Sequence, residues 1–317
     1  MTGLRQRIAT FLDAQAAEAG AARNTILSYG RDLADFADWL ATEALDFDRV
    51  TRDQIVGYLS HCEAQGLARS TRARRLSAIR QLTRFALEEG WREDDPAIRI
   101  QGPGKTQRLP KVLSQPEVTA LLDAAPKTGR TEADRARNRC LIELLYATGM
   151  RVSEVLNLNL GDVDLESGVI TIRNTKFGKS RLVPVHETTR AVLETYRDAR
   201  AAHLAGREVL PFFISEPGRR ITHAALGRAF KRLTRRIGLC DAGAPDGPRL
   251  HDLRHTMAVD VLQKCYSTGA DPERRLPALS TYLGHSHLNY TYWYLHQNPG
   301  LMTEAMTRLQ HRWEASP

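Results

Sequence analysis

The chain has 317 residues, enough for two domains of ordinary size, and its 42% apolar and 26% charged content is typical of globular proteins. Its net charge of +8, carried mostly by arginine, favours a polyanionic partner, nucleic acid before a membrane surface, and leaves open a basic enzyme of another class. No apolar run approaches the roughly 20 residues that span a bilayer, and the N-terminus lacks the apolar core of a signal peptide. These features predict a cytoplasmic protein that does not bind membranes.

The four cysteines, at positions 62, 140, 240 and 265, occur singly. Because no CxxC pair exists, the sequence indicates neither a zinc knuckle nor a disulfide framework. We therefore expect these cysteines to be reduced packing residues.

Residues 1–95 predict only helices. Apolar residues recur at helical spacing in four segments, and we expect Asn24 and Thr51 to cap the second and third of them and Ser70 to open the fourth. The fourth segment ends near Gly90 and carries six arginines: Arg69, Arg72, Arg74, Arg75, Arg80 and Arg84. Several of them lie opposite the apolar stripe, which fits either a helix against a DNA backbone or a solvated face. Under the first interpretation, Arg72, Arg75 and Arg80 contact DNA.

Residues 96–112 are rich in proline, glycine and basic residues and predict a linker, or else a surface loop. After it, Ser114 and Glu117 form a capping box that opens a helix, and a longer helix over 132–148 ends at Gly149. Two short strands, 168–175 and 180–186, flank a turn. Further helices are predicted at 187–203, 222–238, 251–265, 271–283 and 300–313. The second domain is thus mostly α with a little antiparallel sheet.

A tyrosine near the C-terminus is the candidate nucleophile. The stretch LGHSHLNYTYWYLHQNP, residues 283–299, holds His285 and, nine residues later, Tyr294. A tyrosine hydroxyl has an unperturbed pKa of about 10 and attacks only when nearby cations stabilise the charge that develops. Tyr290 and Tyr292 compete with Tyr294 for this role.

Four residues elsewhere in the chain supply candidate cations and donors. His251 and Arg254 in HDLRH are three residues apart, so both project from one helical face towards one phosphate. Arg151 follows Gly149 at a break between helices, and Glu154 is its candidate orienting partner. Lys176 lies in the turn between the two strands, and Lys179 in the same turn competes with it.

A metal site is the alternative interpretation of the histidines. His255 lies one turn from His251, and His285 would be a third ligand. The sequence has no HExxH pattern, and no nearby carboxylate supplies a further ligand or general base. We therefore predict neither a metal ion nor a cofactor.

Five motifs in order resemble those of the tyrosine recombinase, or phage integrase, family. They are ATGMRVSEVLNL, a lysine between two strands, HDLRHTMA, LGH, and a tyrosine nine residues after its histidine. Each is weak alone, but the ordered set is specific, and the resemblance covers nearly the whole chain. It implies a helical, SAM-like core-binding domain at 1–95, a linker at 96–112 and an α+β catalytic domain at 113–317.

The resemblance also implies a role for each candidate. Arg151 and Arg254 would hold the nonbridging phosphate oxygens, while His251 would hydrogen-bond the phosphate and assist proton movement. Lys176 would protonate the leaving 5′-hydroxyl, and His285 would support the phosphate. Tyr294 would attack and form a 3′-phosphotyrosine link.

The implied function is site-specific recombination or integration of DNA. The partners would be double-stranded recombination sites and, on the synapsed DNA, a homotetramer; a monomer in free solution stays open. We expect Arg228, Lys231, Arg232 and Arg235 in the helix at 222–238 to line DNA. The segment between HDLRH and LGH and the surroundings of Tyr294 differ from compact Xer-like members, which favours a mobile element as the source.

Three other classes remain as alternatives. A non-catalytic DNA-binding factor on the same fold would not need Lys176 and Tyr294. A relaxing topoisomerase would use the same chemistry as a monomer without a defined site. A metal-dependent phosphoesterase would lose activity in a chelator.

Overall fold

A computed structural model of the chain describes residues 2–17, 22–104, 110–173, 180–240, 247–268, 272–284 and 306–307. The chain divides into two compact units, residues 1–108 and 109–317. The predicted helix at 300–313 lies outside the described residues except for Met306 and Thr307. None of the helices within the described ranges is long and apolar enough to cross a membrane.

The first unit is built from four helices, as the periodicity predicts. They are α1 (Thr2–Ala17), α2 (Arg23–Thr42), α3 (Arg52–Ala64) and α4 (Arg69–Glu88). Their apolar faces meet in one core that includes the fully buried Phe11, Phe36, Ile55 and Leu82. Burial of such aromatic and aliphatic side chains is the main force that holds the helices together.

The predicted helix caps in this unit are only partly correct. Thr51 caps α3 in a capping box with Gln54, as predicted. Asn24 is wrong as a cap and α4 opens one residue before Ser70, because each helix starts earlier: the carbonyl of Ala22 already accepts from the Thr25 amide at 2.7 Å, and that of Ala68 from the Thr71 amide at 3.0 Å. Asn24 and Ser70 therefore lie inside the first turn of their helices.

The second unit contains seven helices and three strands in its described residues. They are α5 (Gln115–Ala124), α6 (Glu132–Thr148), α7 (Val152–Asn157), β1 (Val163–Asp164), β2 (Val169–Ile172), β3 (Arg181–Pro184), α8 (Glu187–Leu204), α9 (His223–Arg236), α10 (Leu250–Ser267) and α11 (Pro272–Leu283). The Ser114–Glu117 capping box opens α5 as predicted. The predicted fold class, mainly α with a small antiparallel sheet, is confirmed.

The sheet is a three-stranded antiparallel meander with β2 in the centre. Val163 pairs with Ile170 across β1 and β2, and Ile170 pairs with Val183 across β2 and β3. Two strands were expected, and β1 was missed because two residues are too short to show an alternating pattern. Ile170, Ile172 and Val183 are buried against the helical core. This packing fixes the position of β3 relative to the helices.

Gly149 ends α6 and so determines where Arg151 and α7 lie. It ends α6 in the left-handed region, with φ of 59°, as expected of a glycine at this position. A Cβ there would lie 2.8 Å from Leu283 Cδ2 and 3.2 Å from Met257 Sδ, so the end of α6 sits directly against α10 and α11. The chain can then turn at once into α7, which begins after Arg151.

Candidate active site

Arg151 lies between α6 and α7 and is held by hydrogen bonds at both ends. Its backbone amide donates to Glu154 Oε2 at 2.8 Å, and its Nη1 donates to Glu154 Oε1 at 2.9 Å. Its Nη2 donates to the carbonyl of Gly284, at 2.8 Å. Glu154 therefore orients Arg151, as the sequence predicts, while about a third of the arginine side chain (34%) stays exposed.

Arg254 approaches the same segment from α10. The residue is buried, at 2% exposure, and its Nη1 donates to the carbonyl of Gly149 at 2.7 Å. Its Nη2 donates to the carbonyl of Leu283 at 2.8 Å. The two arginines thus bind successive carbonyls at the end of α11, directly before His285 in the sequence. Residues separated by more than a hundred positions meet at one place.

His251 completes the described part of the site, one turn before Arg254 on α10. The residue keeps an exposed face. Partial burial of its ring, followed by the positive charges of Arg254, Arg249 and Arg151, lowers the pKa of His251 below its usual value, although Asp252 acts the other way. The imidazole is therefore neutral near pH 7 and can both accept and donate a hydrogen bond.

His255 stacks against His251 edge to face, with ring centroids 4.7 Å apart and planes at 90°. It is 9% exposed. Burial, and then the neighbouring His251, lower the pKa of His255 to about 4. Within the residues that the structure describes, no group of three His, Cys, Asp or Glu side chains is arranged to hold a metal ion.

We expect acid to destabilise the fold through His255. The folded pKa of about 4 lies below the ordinary histidine value of 6.5, so the unfolded state takes up a proton that the folded state does not. Above pH 6.5 His255 does not reduce the free energy of unfolding. As the pH falls to 4, that free energy decreases by no more than about 3 kcal/mol. Urea unfolding across this range measures it. His255→Phe keeps the aromatic contact and should show a flatter pH dependence; equal slopes would contradict the assignment.

Glu154 accepts hydrogen bonds from two arginines, Arg151 and Arg181. It accepts from Arg181 Nη1 at 3.0 Å and Nη2 at 2.8 Å, in addition to its two bonds from Arg151. Burial opposes ionisation of this carboxyl, but the hydrogen bonds from Arg181 and from the Arg151 amide outweigh it and lower the pKa of Glu154. The carboxylate is therefore charged across the neutral range.

Arg181 is the site residue that the sequence analysis missed. It is the first residue of β3. In a sequence, a charged residue at the start of an edge strand predicts an ordinary solvated side chain. Nothing in its spacing marks the contact with Glu154, which lies 27 residues earlier.

The remaining predicted catalytic residues fall outside the described residues. They are Lys176, His285 and Tyr294, together with the competitors Lys179, Tyr290 and Tyr292. The structure thus brings together Arg151, His251 and Arg254, and places Leu283 and Gly284, the two residues before His285, against the two arginines.

The predicted DNA contacts on α4 all make contacts within the first unit. The structure places Arg72, Arg75 and Arg80 in internal contacts, not on a free face. Arg72 pairs with Glu63 at 2.7 Å, and Arg75 donates to Tyr58 Oη at 2.8 Å and pairs with Asp35. Arg80 donates to the backbone carbonyls of Ala97 and Ile100. These arginines hold α4 to its neighbours, because a partly buried guanidinium is stable only when its N–H groups find acceptors.

The predicted contacts on α9 are placed differently. Arg228, Lys231, Arg232 and Arg235 are all exposed, and across the described ranges none of them forms an ion pair with a carboxylate. The opposite face of α9 buries Leu226, Phe230 and Leu233 in the core. The helix therefore presents to solvent a row of positive charge that no carboxylate among the described residues neutralises.

Family models match most of the chain. The phage integrase family matches residues 111–300, and the N-terminal SAM-like domain of phage integrases matches residues 8–90. The chain belongs to the phage integrase family, the tyrosine recombinases.

Named relatives agree with this assignment. The y4rB protein of Sinorhizobium fredii, whose name places it among integrases and recombinases, is 40% identical over 90% of this chain and 91% of its own length. The tyrosine recombinase XerD of Caulobacter vibrioides is 37% identical over 90% of each chain. The XerH site-specific recombinase bound to palindromic difH substrate shares the fold, with a TM-score of 0.69 and 24% identity over 92% of this chain and 81% of that chain.

Proposed function

We propose that this recombinase cuts and rejoins DNA strands at a specific site through a 3′-phosphotyrosine link formed by Tyr294. One observation carries the proposal: Arg151 and Arg254 donate to the successive carbonyls of Gly284 and Leu283, at 2.8 Å each. Two guanidinium groups are thereby anchored beside the residue that precedes His285, ten positions before Tyr294. Fixed cations of this kind stabilise the charge of a phosphoryl transition state without reorganising during the reaction.

In the first step the Tyr294 oxygen attacks the phosphorus, and the bond from phosphorus to the 5′-oxygen breaks. Arg151 and Arg254 hold the two nonbridging oxygens, and His251 hydrogen-bonds the phosphate and assists proton movement. Lys176 gives a proton to the leaving 5′-oxygen, and His285 supports the phosphate. The neutral His251, whose pKa is lowered by burial and by Arg254, suits a group that accepts a proton.

In the second step a 5′-hydroxyl of another strand attacks the phosphotyrosine and releases the Tyr294 hydroxyl. One phosphodiester-type bond replaces another in each step, so the bond energy is conserved and no high-energy cofactor is needed. Two duplexes contain four strands to cut, and each protomer brings one Tyr294. We therefore propose that four protomers assemble on the synapsed DNA.

We propose that different parts of the chain have different roles. Residues 1–95 form a core-binding domain, residues 96–112 a linker, and residues 113–317 the catalytic domain, and both domains contact the duplex. The exposed row of Arg228, Lys231, Arg232 and Arg235 on α9 supports DNA contact in the catalytic domain. The enzyme would act in the cytoplasm, on the nucleoid, where its substrate lies.

The source we propose is a mobile element. The long segment between HDLRH and LGH and the surroundings of Tyr294 support it. The 37% identity with XerD supports a second candidate, a chromosomal Xer-type role. Sequencing the DNA around the gene separates them: inverted repeats around a short spacer beside the gene support the mobile element, and their absence there supports the chromosomal role.

The proposed reaction is tested by trapping its intermediate. The protein is incubated with a duplex that carries the flanking repeats and a nick next to the scissile phosphate, so that the short leaving strand diffuses away. We expect a covalent adduct that survives denaturant, sits on the 3′ end of the cut strand and forms equally in a chelator. An adduct that needs a metal ion, or cleavage without any adduct, would reject the proposal.

The contribution of α9 can be measured from the salt dependence of DNA binding. Arg232→Ala should weaken binding across sequences and reduce the slope of log K against log salt by about 1, because one phosphate contact is lost. Arg197→Ala is the matched control, since Arg197 is also exposed but lies on α8 and pairs with Asp198 at 2.8 Å. An unchanged slope in Arg232→Ala would show that α9 faces away from DNA.

A further inference from the structure

We infer that Arg181 is a positioning residue of the proposed cleavage site, fixing Arg151 through Glu154 and the end of α11 through the Tyr282 carbonyl. The inference rests on the proposed function. In the proposed mechanism Arg181 does not itself touch the phosphate. Its place in the chain is significant, because β3 begins with Arg181, five residues after Lys176.

The first attachment of Arg181 is to the carboxylate that orients Arg151. Its Nη1 donates to Glu154 Oε1 at 3.0 Å and its Nη2 to Oε2 at 2.8 Å, which is the end-on, two-bond geometry of an arginine fork. Glu154 is 7% exposed and Arg181 15% exposed in their side chains, so water competes little with this pair. The carboxylate is held in the one orientation that also fits Arg151.

The second attachment is to the end of α11. Arg181 Nε donates to the carbonyl of Tyr282 at 3.1 Å. Its guanidinium also lies directly against Gly284, where an added Cβ would come within 2.8 Å of Nη1 and 3.0 Å of Cζ. Gly284 has φ of 66°. A glycine is therefore needed there both for its backbone conformation and for the space that Arg181 fills.

Arg181 also keeps the net charge around Arg151 positive. Glu154 alone would neutralise Arg151, which must keep positive charge to hold a phosphate. With two guanidinium groups on one carboxylate, the group of three carries a net charge of +1, and Arg151 keeps donors that are not engaged with Glu154. One side chain thus links three segments that lead into predicted site residues: the strand after Lys176, the loop of Arg151, and the end of α11 before His285.

The test compares Arg181→Lys with Arg220→Lys. Lysine keeps the charge but presents one ammonium group, so it cannot bond both Glu154 oxygens and the Tyr282 carbonyl together. Arg220 is the matched control in the same unit: it is half-buried and donates to the carbonyls of Leu156 and Leu158 and to Asn159 Oδ1. Among the described residues, none of these bonds goes to a predicted site residue.

Two measurements are made on each full-length protein. Hydrogen exchange of the free protein reports on the Gly284 amide, which donates to the carbonyl of Thr281 at 3.0 Å. We expect exchange at the end of α11 to rise about tenfold in Arg181→Lys, for the loss of a charged hydrogen bond, and to stay unchanged in Arg220→Lys. With saturating nicked DNA, we expect the rate of adduct formation to fall about 100-fold in Arg181→Lys while DNA affinity stays within about twofold.

Each outcome decides the inference. Unchanged exchange at the end of α11, or an adduct rate at saturating DNA equal to that of the wild type, overturns it. A rate loss of the same size in Arg220→Lys also overturns it, because general loosening of the unit would then explain the effect. A wild-type protein that forms no adduct overturns the proposed function instead, and the exchange result then still shows whether Arg181 holds the end of α11.

Discussion

Tyr294→Phe is expected to abolish both the covalent protein–DNA adduct and recombination. The substitution removes only the phenolic oxygen, so no atom remains to attack the phosphorus. Loss of a covalent nucleophile typically costs at least about 10⁴-fold in rate, with the residual activity arising from binding and charge stabilisation. DNA affinity should not change, because Arg151, His251 and Arg254 are intact and the ring is kept. Gel assays of adduct formation on nicked DNA, with parallel binding measurements, check both statements.

The neighbouring tyrosines provide the controls for this experiment. Tyr292→Phe and Tyr290→Phe each remove one hydroxyl from the same stretch, residues 283–299, and should leave adduct formation intact. Peptide mass spectrometry of the wild-type adduct then identifies the linked residue directly. An adduct that persists in Tyr294→Phe but disappears in Tyr292→Phe would move the nucleophile to Tyr292.

Arg254→Ala is expected to lower the rate of adduct formation at saturating DNA by about 10³-fold, because a fixed cation is lost from the developing charge. The variant should also lose stability, since the carbonyls of Gly149 and Leu283, which accept from Arg254 at 2.7 and 2.8 Å, lose a buried donor. A loss of about 1–3 kcal/mol is expected for a buried group left unsatisfied. Single-turnover kinetics and urea unfolding measure the two effects separately.

Arg200→Ala is the matched control for that prediction. Arg200 is also buried, at 5% exposure, and also donates to two carbonyls, those of Val209 and Pro211, at 2.6 and 2.8 Å. It lies on α8 and has no predicted part in the reaction. Its loss should destabilise the fold by a similar amount while leaving the adduct rate of the folded protein unchanged. If both variants slow the reaction equally, Arg254 acts through stability and not through charge.

The sequence by itself determined the helices, several of their ends and the identity of the candidate residues. Thr51 and Ser114 are caps because their side chains bond amides three residues away, and Gly149 ends α6 because a residue without a Cβ adopts positive φ at little cost. These are local interactions, complete within a few residues. The family resemblance likewise rested on ordered motifs that require no knowledge of packing.

Only the tertiary structure decided which side chains meet. Arg151 donates to the carbonyl of Gly284, 133 residues later. Arg181 donates to Glu154 from a strand whose sequence does not predict this contact. In the same way, Arg75, a predicted DNA contact, pairs with Asp35 on a different helix, 40 residues earlier. A guanidinium on a helix surface has the same sequence signature whether water, a phosphate or a distant carboxylate accepts its hydrogen bonds. That choice depends on the packing of whole elements, and local spacing contains no information about it.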